Sequence, residues 1–390
     1  MDHTTQVARI KKAYEYIDSG QTATTPGVKR APVAAYTDSQ WLDRELASIF
    51  KNYPLFMGLS CVIAKPGDYQ TMEHGTLPIL LVRGGDSVAR AFVNMCSHRG
   101  APVAHGCGRA AGFTCRYHAW TYDRAGDLKV IPDQRNFPGV ELQGNGLIPL
   151  PLVERHGMIW VQPDPQAEIN LDQHLVSLQD ELAGYDLQNY EHYQGRVLHR
   201  DINWKMPIDT FLEPYHFASL HKDTVGPIFF GNLCLFEGHG LHHWMSAVRK
   251  SIESLRDKPE AEWDFIKHTA ISYQLFPNTI FTMQADHVET WRIFPVDNSV
   301  DRCVIYFDCY VPEPVTTDKA KKYWDKNIDL ALRTVDGEDI VIQQEMERNY
   351  LSGAMKEILI GQNEPALAHF HQSLERAMAS ELKKSLPSGK

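Results

Sequence analysis

The chain has 390 residues, 43% hydrophobic and 23% charged, an ordinary globular balance with enough length for two or three domains. Its formal charge of −10 argues against nucleic acid or an anionic membrane surface as partner. The cysteines have no framework spacing, which excludes a disulfide scaffold and reads as reduced thiols in a cytoplasmic protein. No apolar run approaches a membrane span, and residues 1–20 carry neither an apolar core nor a twin arginine.

Residues 1–20 read as a polar helix with Val7, Ile10, Ala13 and Tyr14 on one side. A Gly/Thr/Pro/Lys linker follows to about Pro32, and Ser39 reads as the N-cap of a helix through Trp41, Leu46 and Phe50. From Tyr53 to about Pro163 the texture is β. Strands are expected over 77–82, 89–94 and 157–161, with turns at Gly84-Gly85-Asp86 and Asp123–Gly126.

Within that β region stands the most informative stretch. Cys96-Ser97-His98 and Cys115-Arg116-Tyr117-His118 are two mixed thiol–imidazole pairs, separated by a loop with four glycines and a proline. A zinc finger takes two thiols and two imidazoles but groups like with like. A Rieske [2Fe-2S] cluster has one iron on two cysteines and the other on two histidines, which one Cys and one His from each loop supply directly. Rieske chemistry is the first reading and zinc the second.

Pro163-Asp164-Pro165 reads as a domain boundary. Beyond it come a helix near 172–183, a strand over 193–202, helical segments over 204–221, strands at 270–275, 279–284, 289–295 and 302–310, helices over 317–334 and 338–350, and a final helix from Pro365 striped by Leu367, Phe370, Leu374 and Met378. His216 and His221 lie five apart. On an ideal helix that spacing turns by about 140°, so they share a site only if the helix ends or bulges between them. Two histidines and a carboxylate make the facial triad of non-haem iron oxygenases. Asp339 is the candidate carboxylate, with Asp336 and Glu338 competing; the plain alternative for Asp339 is an acid favoured by a helix N-terminus. Histidines 239, 242 and 243 read as ordinary polar residues. Phe211, Phe217, Phe229, Phe230, Phe236 and Trp244 read as pocket lining or core.

From about residue 40 to the final helix, the chain resembles the α subunit of Rieske non-haem iron aromatic-ring-hydroxylating oxygenases. The resemblance rests on Cys96-x-His98, Cys115-x-x-His118, Asn203-Trp204-Lys205 … Glu213-x-x-His216-x4-His221, and the Glu338-Asp339 dipeptide. Arg116 and Ala119 depart from the family's frequent proline and glycine. The resemblance implies an α+β chain in three parts: a helical arm (1–45), an all-β Rieske domain (46–163) and an α+β catalytic domain (164–390) with an antiparallel sheet flanked by helices. It implies a [2Fe-2S] cluster on Cys96, His98, Cys115 and His118, Fe2+ on His216, His221 and Asp339, catalytic roles for Asn203 and Glu213, and a homotrimer in which Glu213 bridges to His118 of a neighbouring copy. NAD(P)H electrons would arrive through a reductase, with or without a ferredoxin, and a β subunit is not excluded. The implied activity is O2-dependent hydroxylation of a small, aromatic substrate. Glu213 stands where ring dihydroxylases often have Asp and resembles the subgroup oxidising quaternary ammonium or N-methyl compounds by demethylation or C–N cleavage. A Rieske electron carrier is the alternative of another class, and it leaves the long C-terminal region unexplained.

Overall fold

The computed structural model describes residues 1–72, 77–296 and 298–385; residues 73–76, 297 and 386–390, which fall within the ranges assigned from sequence, lie outside the described residues. The chain forms two compact units, one spanning Phe50–Leu171 and one combining Met1–Ile49 with Asp172–Lys390. Residues 1–45, read from sequence as a separate helical arm, thus fall in one compact unit with Asp172–Lys390.

The Phe50–Leu171 unit is built from one five-stranded and two three-stranded antiparallel sheets. Apolar runs such as Ile79–Arg83 and Ala89–Val93 pair in register and bury both faces. Their core includes Leu80, Val82, Phe92, Trp120, Tyr122 and Leu128, and it also encloses Cys96 and Cys115. The short hairpin Gly112–Thr114 with Thr121–Asp123 carries the second thiol loop at its tip.

The other unit is organised on a seven-stranded antiparallel sheet. Its strands are β1 (Glu191–Arg200), β2 (Phe229–His239), β3 (His242–Arg249), β4 (Thr269–Leu275), β5 (Thr279–Met283), β6 (Val288–Pro295) and β7 (Cys303–Val311), in spatial order β1-β7-β6-β5-β4-β3-β2. β4 through β7 are buried along their whole length. The longer helices are α1 (His3–Ser19), α2 (Asp318–Thr334), α3 (Ile340–Leu351) and α4 (Pro365–Ser385). α1 buries Ile10, Ala13 and Tyr14 as its periodicity predicts, and Val7 only partly.

Several local expectations shift. Asp38, not Ser39, caps the next helix, because its carboxylate accepts the Gln40 N–H. The linker before Pro32 contains a strand, Lys29–Pro32, paired with Glu357–Ile360. Residues 172–183 form two short helices, broken where Val176 takes φ 52°. The hairpin β2–β3 has no clear alternation in sequence, since β3 is buried on both faces.

The Asn203-Trp204-Lys205 stretch begins in the core. Asn203 is buried, and its side chain donates to Tyr36 and Val300 carbonyls while its oxygen accepts the Lys205 N–H. Glu45, also fully buried, receives both the Trp204 indole N–H at 2.8 Å and the Lys205 ammonium at 2.9 Å. Glu347 on α3 accepts the Asn203 N–H at 3.0 Å. Burial, partly opposed by that hydrogen bond, pushes its carboxyl up to about 7. A folded pKa above the unfolded one means that stability falls as pH rises from about 4.5 to about 7. Glu347→Gln keeps an acceptor for Asn203 and removes the ionisation. Urea unfolding should find the variant more stable than wild type at pH 8, by on the order of 1–3 kcal/mol, and the gain should vanish near pH 4.

Candidate functional site

In the Phe50–Leu171 unit, the two thiol loops have one backbone design. Cys96 N–H donates to Ala101 and Gly100 N–H returns to Cys96; Cys115 N–H donates to Trp120 and Ala119 N–H returns to Cys115. Gly100 and Ala119 occupy equivalent positions with φ of 82° and 60°. The departure at Ala119 thus places an alanine in the left-handed region that glycine adopts freely, at a cost of about 1 kcal/mol.

Both cysteines are buried, whereas His98 and His118 are partly exposed. The imidazoles face each other with ring centroids 4.6 Å apart, and His98 stacks on Trp120. His98 Nδ1 is buried and has no hydrogen-bond partner, as a nitrogen reserved for a metal would be. Burial first, then the nearby His118 and Arg99, lowers the His98 pKa and keeps the ring neutral. Cys96 Sγ lies 3.1 Å from the Tyr122 hydroxyl, which also accepts the Ser97 N–H. Two buried thiols behind two partly exposed imidazoles fit the ligand split of a Rieske cluster.

The second centre lies in the sheet unit. Of the helical segments expected over 204–221, the α-helix is only Met206–Thr210; it stops before Pro214, which cannot donate and restricts the residue ahead of it. His216 and His221 therefore sit on consecutive turns, closed by Leu220 N–H to the His216 carbonyl and Gly226 N–H to the His221 carbonyl. Gly226 is required there: a Cβ would approach the carbonyl oxygens of Phe217 and His221 to 2.7 Å. The local unwinding is what allows two histidines five apart to converge.

The carboxylate arrives from the other side of the cavity. Between α2 and α3 the chain makes a π-helical turn, Val335–Asp339. This turn sorts the three competing acids. Asp336 pairs with Arg200 at 2.6 Å, Glu338 accepts from His221 Nδ1 at 2.6 Å and Thr224 Oγ1 at 2.7 Å, and Asp339 turns toward both imidazoles. Nε2 of His216 and of His221 are 3.1 Å apart, and Asp339 Oδ1 lies 3.5 and 3.2 Å from them. Thr210 Oγ1 steadies the same oxygen at 2.9 Å. Among the described residues this is the one cluster of metal-donor atoms close enough for a single ion.

The donor chemistry fits a cation. His216 Nδ1 is hydrogen-bonded to Glu213, and His221 Nδ1 to Glu338. With each Nδ1 holding its proton for a carboxylate, each Nε2 presents a lone pair to the other and to Asp339. Burial acts to lower the His221 pKa, but Asp339 and Glu338 outweigh it and raise it, so the site favours positive charge at this point.

Glu213 folds back on its own turn, accepting from the backbone N–H of His216 as well as the ring. Asn203, grouped with the site from its motif, does not join the converging donors; its side-chain amide bonds main-chain partners. Asp209 instead bonds Tyr36 and His371. Residues 239, 242 and 243 are core histidines of the β2–β3 hairpin, and burial lowers all three pKa values. Glu338 escaped sequence reasoning as a hydrogen-bonding partner because nothing local marks it apart from its neighbours.

A cavity of about 240 Å3 opens on the triad. Phe211, Phe217, Val225, Ile228 and Phe229 line it near the histidines; Arg249, Gln284, Asp286, His287 and Glu289 give it a polar wall, and α2 contributes Tyr323 and Asn327. Of the aromatics named from sequence, Phe230, Phe236 and Trp244 do not line it.

Two family models match: a Rieske [2Fe-2S] domain over residues 58–147 and a ring hydroxylating alpha subunit catalytic domain over residues 187–380. The chain is 31% identical over 198 residues to a glycine betaine monooxygenase oxygenase subunit of Chromohalobacter salexigens, covering 50% of this chain and 44% of the relative. It is 30% identical over 200 residues to a carnitine monooxygenase oxygenase subunit of Acinetobacter baumannii, covering 49% and 52%. A naphthalene 1,2-dioxygenase large oxygenase component of Ralstonia sp. is 30% identical over 201 residues, covering 48% and 44%. The match thus spans about half the length of these relatives. In fold, the chain resembles a quaternary ammonium Rieske monooxygenase in complex with L-carnitine, with TM-score 0.75, 22% identity, and 89% and 94% of the two chains covered.

Glu338→Ala leaves His221 free to turn or to change tautomer. Fe(II) titration should find about 10- to 100-fold weaker binding at the mononuclear site, with the Rieske spectrum intact; unchanged affinity would remove Glu338 from the account.

Proposed function

The chain belongs to the Rieske ring-hydroxylating oxygenase family, and from that footing we propose that it is the terminal oxygenase component of a multicomponent system acting on a small organic molecule. The observation that carries this reading is the convergence of His216, His221 and Asp339 on a small cavity, in a chain that also holds a Rieske domain.

When bound, the [2Fe-2S] cluster supplies single electrons and the mononuclear iron supplies dioxygen activation. Cys96, Cys115, His98 and His118 would hold the first group, and His216, His221 and Asp339 the second. The chain's own work is to keep these ligands in one protonation state and orientation. Glu213 and Glu338 hold the two Nδ1 protons, leaving both Nε2 atoms free to ligate. Phe211 and Phe217 exclude water beside the metal position and offer aromatic faces to the substrate.

Oxidation of a quaternary ammonium or N-methyl compound is the favoured substrate class. Glu213 at the bridging position and the similarity to glycine betaine and carnitine monooxygenase subunits both support it. In such a reaction one oxygen atom enters a C–H bond, the other leaves as water, and NAD(P)H supplies the electron pair through a separate reductase. Arene hydroxylation is the second reading, supported by the similarity to a naphthalene dioxygenase component. A cytoplasmic electron carrier is disfavoured, since a carrier has no use for the triad or its cavity.

The proposed assembly is a homotrimer in which Glu213 meets His118 of a neighbouring copy. A second cavity of about 550 Å3 opens beside Glu213 and His216, lined in part by Ile342, Met346 and Leu359. Ile342, Met346 and Leu359 are exposed there, Tyr215 is exposed two residues from Glu213, and Tyr117 is exposed beside His118 in the other unit. Exposed apolar groups around both electron-transfer residues suit surfaces buried by another copy.

Glu213→Gln tests the bridge. The expected variant keeps its Rieske absorbance and its mononuclear iron yet loses nearly all turnover with glycine betaine, carnitine or an arene. Undiminished oxygen uptake would defeat the bridge.

A further inference from the structure

The wall of the cavity carries a cation that the oxygenase reading leaves unused. Arg249 ends β3, on the strand face that also points Met245 and Ala247 into the cavity. Its Nε donates to the Thr269 carbonyl at 3.2 Å and its Nη2 to Gln284 Oε1 at 2.7 Å. Its guanidinium lies 5.0 Å from the centre of the Phe229 ring. Three neighbours thus fix the plane of the fork. Among the described residues no carboxylate lies within ion-pair distance of it, and Nη1 has no hydrogen-bond partner.

The nearby acids are otherwise engaged. Asp286 bonds His287 Nδ1 and the Tyr323 hydroxyl, and Glu289 accepts from His287 Nε2 at 3.1 Å. Burial alone would lower the His287 pKa, but these two carboxylates outweigh it and raise it to about 9, so the ring is cationic at neutral pH. One cation between two anions leaves a single net negative charge in that trio, which the Arg249 charge offsets at longer range. Burial lowers the Arg249 pKa, with Asp286 and Glu289 acting in the opposite sense. A guanidinium is still charged at neutral pH, and this one, half-buried at the cavity wall, has a donor nitrogen left over for an acceptor.

Resting on the proposed oxygenase reading, we propose that the substrate carries a carboxylate, which Arg249 binds at the wall of the cavity while the carbon to be oxidised lies toward His216, His221 and Asp339. The Gln284 and Phe229 contacts prepay the ordering of the arginine, so the fork is presented ready for a planar anion. The apolar stretch formed by Phe211, Phe217, Val225 and Ile228 lies beside the histidines, and it suits a methylated or hydrocarbon end. A cavity of about 240 Å3 restricts the whole to a small molecule. Arg249 would then be a specificity residue, setting which end of the substrate faces the metal.

The test is calorimetric binding to the iron-loaded, anaerobic enzyme with matched pairs that differ in the anion: glycine betaine against choline, and benzoate against benzamide. At least one acid should bind about tenfold or more tightly than its neutral partner. Arg249→Gln should erase that preference while leaving the Rieske spectrum and iron content unchanged. Arg249→Lys, which keeps the charge and loses the fork, should retain only part of it. Equal binding of acid and neutral partner in every pair, failure of every acid to bind, or a preference that survives either variant in full would overturn the proposal. Reductase-dependent oxygen uptake by the same samples separates the two readings. An Arg249-dependent acid preference without uptake keeps the subsite and sinks the oxygenase activity; uptake without any acid preference does the reverse.

Discussion

Three hydrogen-bond acceptors are aimed at one point, and the rest of the catalytic unit is arranged so that they stay there. Nε2 of His216, Nε2 of His221 and Oδ1 of Asp339 lie 3.1 to 3.5 Å apart, with both Nδ1 protons already committed to glutamates. Lone pairs at that separation repel unless a proton or a metal cation lies between them. Three local devices make the convergence possible. Pro214 ends a helix that would have carried the two histidines to different faces. Gly226 lets the turn after His221 close against two carbonyls. The π-helical turn at Val335–Asp339 gives three acids three directions, so that one pairs with arginine, one steadies a histidine and one completes the triad.

The Rieske unit solves a related problem with sheets. Two loops of matched hydrogen bonding bring one thiol and one imidazole each from separate strand pairs. The thiols sink into the core with Trp120 and Tyr122, and the imidazoles stay near the surface. Ala119 in a left-handed conformation is a modest strain held by the same pattern that Gly100 satisfies without cost.

Much of this was legible in the sequence, and the limits are physical. Mixed Cys/His pairs declare themselves because few structural roles need that spacing. The strands from Thr269 to Val311 were readable as apolar runs bounded by turn residues. β2 and β3 were not, because a strand buried on both faces loses its alternation, and three histidines in the hairpin suggested a polar surface. Glu338, named only as a competitor for the metal, and Arg249 had their roles hidden for another reason. Their partners lie 117 and 35 positions away, so only the folded chain distinguishes them from any other charged residue. Asn203 is the opposite case: its motif points to the site, while its amide bonds main-chain carbonyls in the core.

The central claim is that one chain holds two different iron centres. Visible spectroscopy with iron and zinc analysis of anaerobically purified protein tests it most directly. The account predicts Rieske absorbance with about three irons per chain, two in the cluster and one at the triad. Rieske absorbance with about two irons that does not rise on adding Fe(II) would contradict the triad, and a colourless zinc protein would contradict both centres.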